Sequence, residues 1–169
     1  MLGQSLLNKQ VLSLQIGAPI GVVTEAIINP FNLKLEGWYA KDHYTKHNVI
    51  LLSQDVREII QDGMVVNDHN SLSNPDELVR LQEIIKHKFI LLGMNIITDQ
   101  KRRLGKVSDY AINTDNFFVQ KLHVSQSIVK SFTGGALMID RSQIIEITHK
   151  KITVSEATAR DTSPMPAVA

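Results

Sequence analysis

Two histidines four residues apart, His43 and His47, are the spacing most suggestive of metal chemistry in this chain. On a helix they would share a face, where neutral imidazole nitrogens can hold zinc. Such a site also needs a third ligand and a carboxylate base, and the intervening Tyr44, Thr45 and Lys46 supply neither. A polar connecting loop accounts for the segment without a metal. Glu25 and Asp109 form a second candidate pair. General acid–base catalysis needs two carboxyls converging on one substrate with their pKa values pushed apart. The competing reading is structural, each carboxylate accepting hydrogen bonds from turn amides nearby. The densest basic cluster is Lys101, Arg102 and Arg103 with Lys106, joined by Lys150 and Lys151. It suits RNA phosphates or an acidic protein face, or a solvated turn. Gly134 and Gly135 make no phosphate loop, because the glycine spacing and the following Lys-Ser/Thr are missing. Trp38 and Tyr39 are the best aromatic anchors for a partner, with core packing the alternative for Trp38. There is no cysteine, so disulfides, thiolate metal sites and cysteine nucleophiles are excluded. No catalytic, cofactor-binding or metal-binding residue emerges, and the chain reads as not an enzyme.

The elements that carry these residues come in two copies. Gly21, Val23, Thr24, Glu25, Ile27 or Ile28, and Asn29 recur in class as Gly105, Val107, Ser108, Asp109, Ala111 or Ile112, and Asn113, 84 residues on (21 to 105). The register continues through Asn32 on Asn116, Leu35 on Val119, Trp38 on Leu122 and Tyr39 on His123. Self-similarity at a fixed period signals a repeated structural unit. In each copy Gly21 or Gly105 reads as turn chemistry ahead of a strand, Asn29 or Asn113 opens a second turn, and another strand follows, giving a hairpin. A short apolar strand comes next, residues 49–52 or 136–139. A polar helical-turn segment follows at 53–59 or 140–147, and a last strand at 64–66 or 152–154. The offset there is 88 (64 to 152), so the second copy carries four extra residues around 130–135, which belong in an exposed loop. Five or six short strands in about 75 residues suggest a small barrel, which also removes sheet edges. Equivalent positions in two separate barrels would lie far apart, which favours the structural reading of Glu25 and Asp109. Asn74, Pro75 and Glu77 form a helix-start signature, with Leu78, Leu81 and Ile85 on one face. A short linker helix is therefore predicted at 75–87, or one fading into a strand at 89–92. The domain reading is 1–74, the linker 75–87, 88–156, and a disordered tail 157–169 without periodicity.

With 18 basic against 17 acidic residues the net charge is +1, far from the basic excess of a dedicated nucleic-acid binder. Hydrophobic residues make up 43% of the 169, enough for real cores. The longest apolar runs are a few residues where a membrane helix needs about 20. The start shows no basic segment ahead of a long apolar stretch, so no secretory signal and no membrane span are expected, and the cytoplasm is the simplest compartment. Units this small gain from packing or pairing, so a homodimer is among the assemblies to expect.

The stretches 20–38 and 104–122, built on Gly21, Val23 and Glu25 and on Gly105, Val107 and Asp109, resemble the opening of the PRC-barrel family. That family includes the cytoplasmic domain of the photosynthetic reaction centre H subunit and the C-terminal domain of a ribosome-maturation factor. The resemblance covers about residues 5–70 and 88–156. It implies a mainly β fold of two tandem small barrels, six strands each, with short helical turns and a short linker helix. It also implies an adaptor or scaffold role, binding another protein rather than doing chemistry. Lys121 stands where the first copy has Gly37, a departure within the motif. The alternatives are an RNA- or ribosome-associated assembly factor, or a binder of small ligands in a cleft between barrels.

Overall fold

The structure, a computed structural model, describes residues 1–125 and 137–156. The Gly134–Gly135 insertion and the tail from residue 157 lie outside those residues. Alternating branched and polar side chains make the chain mainly β, in two separate sheets. The first holds β1 (Gln10–Ser13), β2 (Ala18–Ile28), β3 (Leu35–Asp42), β4 (Asn48–Leu52), β5 (Glu58–Ile59), β6 (Gly63–Val66) and β7 (Leu72–Ser73). The second holds β8 (Asn95–Thr98), β9 (Arg103–Ile112), β10 (Val119–Ser125), β11 (Leu137–Asp140), β12 (Ile144–Ile147) and β13 (Lys151–Val154). The first order is β5-β6-β1-β2-β3-β4-β7; the second, taken from β12, is β12-β13-β8-β9-β10-β11. The second order thus repeats the first strand for strand, without a counterpart of β7 among the described residues. Neighbours are antiparallel except for the parallel pairs β1–β6 and β8–β13. Where small closed or partly open barrels were expected, both hydrogen-bonded series are open at their ends among the described residues.

The chain divides into two compact units. The first is Met1–Phe89 with Asn113–Phe118; the second is Ile90–Ile112 with the described residues from Val119 onward. Val11, Val23, Leu35, Trp38, Leu51 and Met64 centre the first core, and Ile96, Val107, Leu122, Ile139 and Ile152 the second.

The repeated polar residues have backbone work to do. The β2–β3 register slips between Val23 and Glu25, leaving Thr24 as the extra residue of a bulge; β9–β10 slips the same way at Ser108. The Thr24 hydroxyl donates to the Tyr39 carbonyl at 3.2 Å and the Ser108 hydroxyl to the His123 carbonyl at 3.1 Å. At the following turns the Asn29 side-chain oxygen accepts from the Phe31 amide at 3.0 Å, and that of Asn113 from the Asp115 amide at 2.7 Å. Asn32 and Asn116 repeat the device on Lys34 and Phe118.

Four expectations change. Gly21 and Gly105 lie inside β2 and β9, not in turns. A Cβ on Gly21 would sit 2.9 Å from the Lys41 carbonyl oxygen, and one on Gly105 would collide with that of Ser125, so glycine serves close strand approach. The segments 53–59 and 140–147 keep only one 3-10 turn each, Ser53–Asp55 and Arg141–Gln143, before strands β5 and β12 begin. The helix is shorter than 75–87: a 3-10 turn at Pro75–Glu77, then α1 at Val79–Ile85. Asn74 does cap the first turn, accepting from the Asp76 amide at 3.1 Å, but Leu78 at φ −93°, ψ 63° interrupts the helix. Residues 89–92 are not strand, because Gly93, at φ 81°, turns the chain before β8. Helix α1 belongs to the first unit, where Leu81 packs on Ile27 and Ile50, with Tyr39, Leu52, Leu78, Ile84 and Ile85 around them.

Candidate functional site

Trp38 cannot anchor a partner. It points from β3 into the first core, 0% exposed, with its ring edge-on to Phe117 at 6.0 Å. Tyr39, its neighbour on the other face, is half-buried in the α1 cluster. Burial, and then the Glu25 carboxylate opposite it in the ladder, raise its hydroxyl pKa. Glu25 itself is exposed and takes no turn amide of the expected kind. Asp109 sits at the matching place on β9 and accepts from the Tyr110 amide at 2.7 Å, inside the strand rather than in a turn. Burial, followed by the Asp109 charge, pushes the Tyr110 hydroxyl far above its usual range. Each of the two carboxylates stands in the strand of a different sheet.

The basic cluster divides. Arg102 is spent on an internal ion pair, its Nε 3.0 Å from Oε1 of the buried Glu156. The Glu156 amide in turn donates to Asp99 at 3.0 Å, closing the turn onto β13. Arg102 is nonetheless exposed, as are Lys101, Arg103 and Lys106. Lys151 joins Lys106, the two standing on either side of Asn95 of β8, but neither reaches the Lys101 turn. In the parallel β8–β13 pair, Lys151 stands beside Asn95 and Val154 beside Thr98, so Lys150 and Lys151 lie a strand's length from the Lys101 turn.

His43 and His47 fall in the β3–β4 loop, not on a helix. Among the described residues no group of three or more His, Asp or Glu is placed to hold a metal. The loop does contain a polar centre that sequence reading passes over. Asp42, 2% exposed, accepts from the Tyr44 amide at 2.8 Å and from the Thr45 hydroxyl at 2.9 Å, and its Oδ2 lies 2.9 Å from Nε2 of His69. The His69 ring meets Tyr44 edge-on at 5.5 Å. Burial alone would raise the Asp42 pKa, but the Tyr44 and Thr45 bonds and the His69 charge outweigh it and hold the carboxyl below its ordinary range. With both oxygens engaged, Asp42 fastens the loop to the 3-10 turn His69–Ser71 and leaves no lone pair aimed at a substrate. The Asp42-x-x-Thr45 spacing is a local signal for this turn. The reach to His69, 27 residues on, carries no signal in sequence.

A groove of about 550 Å³ runs along α1. Leu52, Leu78, Leu81 and Ile84 line it together with Glu36, Gln54, Glu77 and Arg80. Val79, also on the groove, is 74% exposed. Apolar and polar side chains share the groove's walls, the mixed make-up of a protein-binding surface.

No known protein family matches the chain, and no curated protein does. Among the described residues no helix is long and apolar enough to cross a membrane.

Proposed function

We propose that the chain is a non-catalytic scaffold of two PRC-barrel-like units, the first carrying α1, that binds another protein in the cytoplasm. One observation carries the reading: both sheets follow the same strand order, with a hydroxyl-bonded bulge and an Asn-capped turn at matching positions. A backbone kept twice, whose recurrent polar side chains bond to that backbone, suits the presentation of surface. The α1 groove is the surface we assign to the partner, with Leu78, Leu81 and Ile84 receiving an apolar anchor residue and Glu77 and Arg80 its polar flanks. The test compares the chain with Val79→Asp as bait for extracts of the cells that express it. A captured protein is then purified and titrated against both baits. The reading expects affinity at least about tenfold weaker for the variant, with an unchanged circular dichroism spectrum. Equal affinity, or no specific capture, counts against it. The exposed Lys101, Arg103 and Lys106 favour a second reading, association with ribosomal RNA. Absence from ribosomal fractions of a low-salt sucrose gradient discards that one.

A further inference from the structure

We propose that β11 pairs with β11 of a second copy of this chain, antiparallel and centred on Met138. The first unit supplies the pattern. There β4, the counterpart of β11, has its outer edge covered by β7, with Ile50 opposite Ser73 and Leu51 opposite Leu72. Ile50 is 0% exposed, held under Leu81 of α1. In the second unit β11 bonds to β10 through Leu122–Ile139 and His123–Met138. Among the described residues no strand takes its other edge. Met138, in the place of Ile50, is 45% exposed. A free row of backbone donors and acceptors beside an apolar side chain is a template for strand addition.

The chain's own continuation is poorly suited to fill this edge. Leu72 follows Val66 by six residues, and the same step from Val154 reaches Arg160, then Asp161. Neither offers an apolar side chain to Ile139, and Pro164 and Pro166 beyond them have no amide hydrogen for a ladder.

A second copy meets the requirements. A two-fold axis perpendicular to the sheet sets identical edges antiparallel, the orientation β7 takes on β4. It also joins like faces, so core-facing residues meet core-facing residues. With the axis at Met138, Leu137 lies opposite Ile139 of the second copy and Met138 opposite its own equivalent. Leu137 and Ile139 are 5% and 0% exposed and point to the core side, so the apolar layer continues across the junction. An axis at Ile139 would instead set Leu137 against Arg141. The triplet Leu137-Met138-Ile139 is therefore self-complementary about its centre.

The test is sedimentation velocity on the full chain from about 5 to 200 µM, with hydrogen exchange of β11 followed over the same range. A monomer–dimer equilibrium is expected, with slower exchange at 137–139 as dimer forms. Met138→Lys, at an exposed position, should weaken the dimer at least about tenfold without altering the circular dichroism spectrum. Three results overturn the proposal. A monomer whose β11 amides exchange slowly means the chain covers its own edge. A monomer whose β11 exchanges fast leaves the edge to a different protein. A dimer indifferent to Met138→Lys uses another surface.

Discussion

The two sheets share a strand order but, among the described residues, not a covering. In the first, Ile27, Tyr39, Ile50 and Leu52 gather round Leu81 of α1. At the matching positions of the second stand Ala111, His123, Met138 and Asp140. The inward faces of the two, by contrast, are alike: Trp38 answers Leu122, Leu51 answers Ile139 and Met64 answers Ile152, all fully buried. Turns, bulges and inward alternation therefore set the strand order, while the outward face records what each copy is packed against. A helix over one face permits large apolar residues there; an uncovered face tends toward small and polar ones.

Substitutions at four places in the first unit, with their counterparts in the second where these exist, probe that contrast, beginning with the greatest loss. A Cβ at Gly37 would collide with the Leu51 carbonyl oxygen, whereas the matching Lys121 is exposed on β10. Gly37→Val should lose about 3 kcal/mol in urea denaturation, and Lys121→Ala less than about 0.5 kcal/mol. If the two losses are similar, the copies are not packed as differently as they look. Leu81→Ala should lose about 2–4 kcal/mol, with faster hydrogen exchange confined to residues of the first unit. Asp42→Ala should lose about 1–3 kcal/mol by unpairing His69 and the loop amides. Because folding lowers the Asp42 pKa, its contribution is complete above the pKa of the unfolded carboxyl and fades as acid carries the pH down through the folded value. The wild type should therefore lose more stability than Asp42→Asn between neutral pH and the acid side of the carboxylate range. Smallest of all, Asn29→Ala and Asn113→Ala should each lose about 1 kcal/mol. Here Asn29→Ala should lose the more, since both side chains cap their turn but that of Asn29 also donates to Glu36 at 3.0 Å; equal losses would mean that this extra bond contributes nothing.

The repeat was legible because its residues answer to local geometry. Thr24 and Ser108 mark bulges, Asn29 and Asn113 mark turns, and each motif acts within its own hairpin. What escaped the sequence depends on distant pairing. Gly21 reads as a turn former until the Lys41 carbonyl is seen pressing on it from the neighbouring strand. Strands β1 and β8 owe their place to parallel partners more than 50 residues later, and their composition alone does not announce them. Arg102 looks like a free cation beside Lys101 and Arg103 until Glu156 is brought back to it from 54 residues away. The Asp42 cluster was half visible: Thr45 is in reach of any reader, His69 is not.

The parallel pairs β1–β6 and β8–β13 bear on how such a chain could arise. Each joins the opening strand of its sheet to the last strand that the two sheets have in common, side by side. Entry and exit of a unit are thus separated by about the length of a four-residue strand, about 13 Å. A segment whose ends lie that close can be copied head to tail, or have its termini relocated by circular permutation, with a short connector and no re-threading of the strands between. Residues 67–94, which separate β6 from β8, are longer than such a connector has to be. That surplus is where β7 and α1 were accommodated, giving the first copy a cover that the second never acquired among its described residues.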